Sequence, residues 1–184
     1  MTNLKFRSKD LGFGLDIPEK NFSEVLEACI KSGNKETGGI LVGVYTPLHD
    51  WAIVTAVSRA PADSQQGKTW FFRGVTGLQK WLCSLWNTKR EYYLGEWHFH
   101  PRHVPQPSFT DVGQMIAIAN ADSYQCPEPI LLIVGDDPKG NWSVRAFVFP
   151  KGKSQLELIA ATKPPPQNEL MIGESANVTD RTQE

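Results

Sequence analysis

The sequence predicts an α+β or α/β sandwich in which a mixed β-sheet is flanked by helices. Short apolar stretches with strand-like patterning recur along the chain, and stretches with helical spacing fall between them. One run, Ile130-Leu131-Leu132-Ile133-Val134, is aliphatic throughout, as a strand buried on both faces would be. A chain of 184 residues is of single-domain length. It can bury a core without needing a disulfide or a metal merely to fold.

The elements follow in order. Pro18 to Ser32 reads as a helix: Pro18 suits the first turn, Phe22, Val25, Leu26 and Cys29 share one face, and Gly33 ends it. Gly38 to Tyr45 and Trp51 to Val57 read as paired strands around the turn Thr46-Pro47-Leu48-His49-Asp50. Ser58 to Gly67 reads as a polar loop and Thr69 to Phe72 as a short aromatic strand. Leu78 to Trp86 is a second helix with Leu78, Trp81, Leu82, Leu85 and Trp86 as its core-facing stripe. Tyr92 to His100 is a strand. Pro101 to Pro107 is a loop, because its prolines deny it regular structure. Ser108 to Asn120 is a third helix, Ile130 to Val134 a buried strand and Trp142 to Phe149 an alternating one. Residues 1–162 form the domain. From Lys163-Pro164-Pro165-Pro166 to residue 184 the chain turns polar, too poor in apolar side chains to offset the entropy of ordering, so 163–184 is expected to be a disordered tail.

Charge and composition exclude several classes. Nineteen basic against twenty acidic residues leave a net charge of −1, which argues against a general grip on nucleic acid. No apolar run approaches the roughly 20 residues that span a bilayer, so no membrane association is expected. The first residues lack the basic-then-apolar pattern of a secretory signal. The cysteines, Cys29, Cys83 and Cys126, are odd in number and form no C-x-x-C pair, which suits a reducing compartment. The expected location is cytoplasmic.

The chemistry concentrates in Glu96-Trp97-His98-Phe99-His100-Pro101 and Ser108-Phe109-Thr110-Asp111. Residues two apart on a strand share a face, so His98 and His100 present two imidazoles together. Asp111 lies in the first turn of the following helix and joins them if the loop folds back. Two histidines and a carboxylate are typical of a catalytic zinc site with one position open to water. Hydrolysis then needs a general base and a donor for the developing oxyanion. Ser108 is placed to supply the donor. Glu36, which opens Glu36-Thr37-Gly38-Gly39-Ile40-Leu41-Val42-Gly43 just before a strand, fits the base. The paired glycines allow close backbone approach.

H-x-H, seven residues, then S-x-x-D, with an upstream E-x-G-G-x-L-x-G, resembles the JAMM motif of JAB/MPN-domain metallopeptidases, whose sheet architecture is cytidine-deaminase-like. Pro61-Ala62-Asp63-Ser64, Phe72-Arg73-Gly74 and Cys126-Pro127-Glu128-Pro129-Ile130 resemble the bacterial members encoded beside E1/E2-like enzymes of ubiquitin-like conjugation, including CBASS antiviral defence systems. The resemblance covers about residues 15–150. It implies Zn2+ held by His98, His100 and Asp111, with Glu36 as the base and Ser108 as oxyanion stabiliser. It implies hydrolysis of a peptide or isopeptide bond after the C-terminus of a ubiquitin-like protein or its conjugate. The implied partners are that substrate, neighbouring E1/E2-like enzymes and a conjugated nucleotidyltransferase.

Plainer interpretations stand beside these. Ser108-x-x-Asp111 is also a capping box. Glu36 alone is a solvated strand-end residue. His103 suits an exposed loop. Trp70, Phe71 and Phe72 either grip an extended substrate tail or pack as core, and Arg73 meets either a substrate or a surface carboxylate. Cys126 has no acid–base neighbour in sequence that would make it a nucleophile. A catalytically silent binding scaffold and a nucleic-acid-associated JAB domain remain the alternatives, and no H-E-x-x-H or deaminase zinc motif is present.

Overall fold

In the computed structural model, which describes residues 3–10 and 12–161, the sheet is mixed, as the patterning predicts, but it closes on itself. Its strands are β1 (Leu4–Arg7), β2 (Gly14–Ile17), β3 (Thr37–Tyr45), β4 (Trp51–Val57), β7 (Tyr92–His100), β8 (Ile130–Asp136), β9 (Trp142–Val148) and β10 (Leu156–Ala160). They run β1-β10-β9-β8-β7-β3-β4-β2 and back to β1. The β2/β4 and β7/β8 pairs are parallel and the rest antiparallel. The mixed sheet with helices is as expected, and the sandwich is corrected to a closed barrel. Closure comes from β1, β2 and β10, whose four or five residues carry no pattern long enough to predict. Pairing them removes the open edges that a sheet would otherwise present.

Helix α1 (Glu19–Ser32) starts after Pro18 and ends at Gly33, whose φ of 64° is costly for any other residue. It buries the predicted face, Phe22, Val25, Leu26 and Cys29. These join one core with Phe6, Ile17, Leu41, Val54, Trp97, Phe99, Leu132 and Val148, so α1 covers one face of the sheet. The other face carries Ile40, Val42, Tyr93, Leu131, Ile133 and Phe147 beneath Met115 and Ile118 of α3 (Phe109–Asn120).

Helix α2 (Leu78–Lys89) departs from expectation. None of its residues is buried; Leu78, Trp81, Leu82 and Leu85 are half-buried and Trp86 is exposed. Its stripe leans on the second core from outside. The predicted aromatic strand shrinks to β6 (Phe71–Phe72), which pairs with β5 (Gln65–Gln66) inside the stretch expected to be loop. The proposed tail, 163–184, lies outside the described residues.

Candidate metal centre

Strand alternation does most of the positioning. Trp97 and Phe99 point into the α1-side core, which sends Glu96, His98 and His100 to the opposite face. Strand β7 lies between β3 and β8, with His98 opposite Gly38 and Ile133. A central strand paired on both sides holds its side chains with little freedom. The glycines of β3 allow the approach. A Cβ on Gly38 would come within 2.8 Å of the Phe71 ring, and one on Gly39 would run into the Ser58 carbonyl.

The loop after His100 turns back at once. Asp136 at the end of β8 accepts the Arg102 N–H at 2.6 Å, which pins the loop to the sheet. Ser108 then caps α3. Its hydroxyl accepts from the Asp111 N–H at 3.1 Å, while its own N–H and O–H each lie 2.7 Å from Asp111 Oδ2. The capping box and the convergence with the histidines are both present, because a first-turn carboxylate serves the helix with one oxygen and leaves the other free. Asp111 Oδ1 faces His98 Nδ1 at 2.9 Å, and Oδ2 lies 3.7 Å from His100 Nε2. One potential ligand atom from each of the three residues lies within 4.8 Å of the others, and all three residues are buried.

Glu36 stands half-buried just ahead of β3. Its N–H donates to the Gly67 carbonyl of the β5–β6 hairpin at 2.8 Å. Burial and then the Asp111 charge raise its carboxyl to about 7, against the opposing pull of His98. The other groups adjust to one another. Burial alone would lower His98, but its hydrogen bonds to Asp111 and Glu96 and their charges push it up to about 9. Burial lowers His100. Asp111 is held well below the ordinary carboxylate range, its burial outweighed by His98 and Ser108.

The structure thus brings His98, His100, Asp111 and Ser108 together and sets Glu36 within electrostatic reach. It leaves His103 exposed in the loop, and Trp70 and Phe72 exposed on the hairpin rather than in the core. Phe71 is half-buried and meets His98 edge-on, with ring centroids 5.8 Å apart. Cys126 is buried and desolvation pushes its thiol up to about 12, which suits packing and not nucleophilic attack. A cavity of about 530 Å³ lies between α2, β7 and the 3₁₀ turn Asp122–Tyr124, and none of the five predicted site residues lines it.

Glu96 is the residue that motif reasoning passes over. It is fully buried and surrounded by partners: Arg73 Nη2 at 2.9 Å, Gln114 Nε2 at 2.9 Å and His98 Nε2 at 3.3 Å. Its place two residues before His98 puts it on the same strand face, which was the available signal. Arg73 therefore meets a carboxylate, as one alternative held, but a buried one.

Comparison with known proteins gives one answer. The family of prokaryotic homologues of the JAB domain matches residues 18–148. A protein of Enterobacter hormaechei subsp. hoffmannii (strain UCI 50), named CD-NTase/cGAS isopeptidase, is 40% identical over 156 residues, spanning 85% of this chain and 86% of that one. A protein of the same name from Escherichia coli (strain TW11681) is 32% identical over 103 residues, 54% of this chain and 62% of its own length. The solution structure of a Desulfitobacterium hafniense protein shares the fold, with a TM-score of 0.56 at 19% identity, covering 85% of this chain and 96% of the other.

Proposed function

Because the chain belongs to the family of prokaryotic homologues of the JAB domain, we propose that it is a metal-dependent isopeptidase acting on a protein conjugate of a CD-NTase-type nucleotidyltransferase. The observation that carries the reaction class is the convergence of His98, His100 and Asp111 beside a carboxylate raised to about 7. The substrate class rests on the name of the relative that is 40% identical. The further reading, regulation of a CBASS-type conjugation pathway, rests on the sequence resemblance to the bacterial members of such systems.

The donor set fits zinc. Two imidazoles and one carboxylate are ligands that zinc takes readily, and three protein ligands leave a coordination position open. His98, His100 and Asp111 would hold the ion, whose chemistry there would be to acidify a water to a pKa of about 7. Glu36 accepts a proton from the attacking water, because a carboxyl near 7 is half ionised at working pH and can give the proton back to the departing amine. Ser108 would turn its O–H, which donates to Asp111 Oδ2 in the resting protein, to the oxyanion that develops on the scissile carbonyl. The β5–β6 hairpin, with Trp70 and Phe72 exposed, offers an edge and an apolar grip for an extended tail.

A substrate trap tests this. Tagged Glu36→Ala protein, expressed in the native host with its conjugation enzymes, is isolated and then treated with wild-type protein while intact masses are followed. Adducts that accumulate on the trap and split into a target and a small protein with a defined C-terminus support the isopeptidase. Zinc-loaded protein that binds partners without any mass change points instead to a scaffold.

A further inference from the structure

Arg73 and Glu96 are a buried ion pair that the reaction as described does not use. Arg73 follows directly on β6, at the base of the hairpin, and its side chain is 8% exposed. Its Nε and Nη2 reach Glu96 Oε1 at 3.0 and 2.9 Å. The Tyr93 hydroxyl adds a 3.4 Å contact to the same oxygen. Glu96 Oε2 is shared between Gln114 of α3, at 2.9 Å, and His98 Nε2, at 3.3 Å. One carboxylate therefore joins the hairpin, α3 and the first histidine of the metal cluster.

A buried pair is expensive to desolvate and contributes little stability over an apolar pair of equal size. Its retention here calls for another role, and the geometry supplies one. The hairpin touches the candidate centre at three places: Gly67 accepts the Glu36 N–H, Phe71 packs edge-on against His98, and Arg73 pairs with Glu96. The first two are soft contacts of a two-residue ladder. The third is charged and buried. Histidines that ligate metals are commonly oriented by a carboxylate on the imidazole's remaining nitrogen, and losing such a partner costs about 10–100-fold in metal affinity.

We propose that the Arg73–Glu96 pair is a pin that sets the hairpin and His98 in one register, so that metal affinity depends on a residue of the substrate-facing hairpin that is not a ligand. The proposal rests on the metal-dependent function above. Arg73 and Glu96 are positioning residues in it, and neither touches the metal or the substrate.

The test measures zinc affinity by competition with a chromophoric chelator and records the visible absorption of the cobalt(II)-loaded protein. Wild type is compared with Arg73→Met/Glu96→Leu, which replaces the pair by apolar groups so that the fold survives, and with Arg73→Lys. The double variant is expected to melt within a few degrees of wild type, lose about 10–100-fold in zinc affinity and shift its cobalt bands. Arg73→Lys, which keeps the charge and loses the fork, is expected to fall between the two. Zinc affinity within twofold of wild type and unchanged cobalt bands in the variants overturn the pin and leave the metal function standing. If the double variant does not fold, undiminished affinity in Arg73→Lys overturns it alone. Wild-type protein that takes up neither metal overturns the metal function and the pin together.

Discussion

His98 Nδ1 and Asp111 Oδ1 face each other at 2.9 Å although thirteen residues and a change of element separate them. Without a cation the pair is an ion pair, since its partners push His98 up to about 9 while Asp111 stays ionised. The site holds a proton where the proposed metal would go. Because a ligating imidazole must be neutral, metal uptake has to expel that proton. His100, lowered by burial, is already neutral near pH 7 and adds none. Zinc affinity should therefore fall about tenfold for each pH unit below about 9. Chelator competition at pH 6, 7 and 8 measures it, and a flat profile would show that His98 does not exchange a proton for the metal.

Glu36 carries the opposite sign. Its carboxyl titrates at about 7 in the folded chain, above the ordinary value of 4.5. The group is neutral in both states at low pH and destabilises the fold once it must ionise in place, so its cost is absent below about 4.5 and complete above about 7. The gross value of such a shift is near 3 kcal/mol. Half-exposure and screening reduce it to about 1 kcal/mol. Glu36→Gln should therefore stabilise the metal-free protein by about 1 kcal/mol at pH 8 and leave it unchanged at pH 4.5. Denaturant titrations at the two pH values decide it; equal effects at both would remove the electrostatic account.

Ser108 has two duties that substitutions can separate. Ser108→Ala removes the N-cap of α3 and the oxyanion donor together, so it should cost about 1 kcal/mol of stability and about 10²–10³ in turnover. Glycine at an N-cap costs only a few tenths of a kcal/mol and carries no side-chain donor. Ser108→Gly should therefore nearly keep the melting temperature and lose the turnover. Near-wild-type rates in Ser108→Gly would confine Ser108 to the cap.

Gly39 tests the packing behind the site. A Cβ there would meet the Ser58 carbonyl and come within 2.7 Å of the Trp97 indole nitrogen, and that nitrogen donates to the same carbonyl at 2.9 Å. Overpacking of this kind costs about 1–3 kcal/mol. Gly39→Ala should lower the unfolding free energy by that amount, seen as a lower denaturation midpoint, and shift the fluorescence of the buried Trp97. An unchanged midpoint would mean that β3 and β4 can separate without penalty.

Local patterning announces much of the site. Alternation along Tyr92 to His100 put both histidines on one face, and the spacing of Ser108 and Asp111 announced a helix start that also carries a carboxylate. The bounds of β4 and β7 and the buried face of α1 were legible because turn residues and apolar periodicity agree there. The rest depends on contacts between elements far apart along the chain. Leu4–Arg7, Gly14–Ile17 and Leu156–Ala160 are strands because they find partners across the barrel, and no local preference of four or five residues declares that. The stripe of α2 is amphipathic in sequence, yet it stays half-exposed, with a cavity between the helix and β7. Glu96 reads as an ordinary strand carboxylate until the fold brings Arg73 and Gln114 to it from other elements. Burial and charge pairing are properties of neighbours distant along the chain, and they make this carboxylate part of the candidate centre.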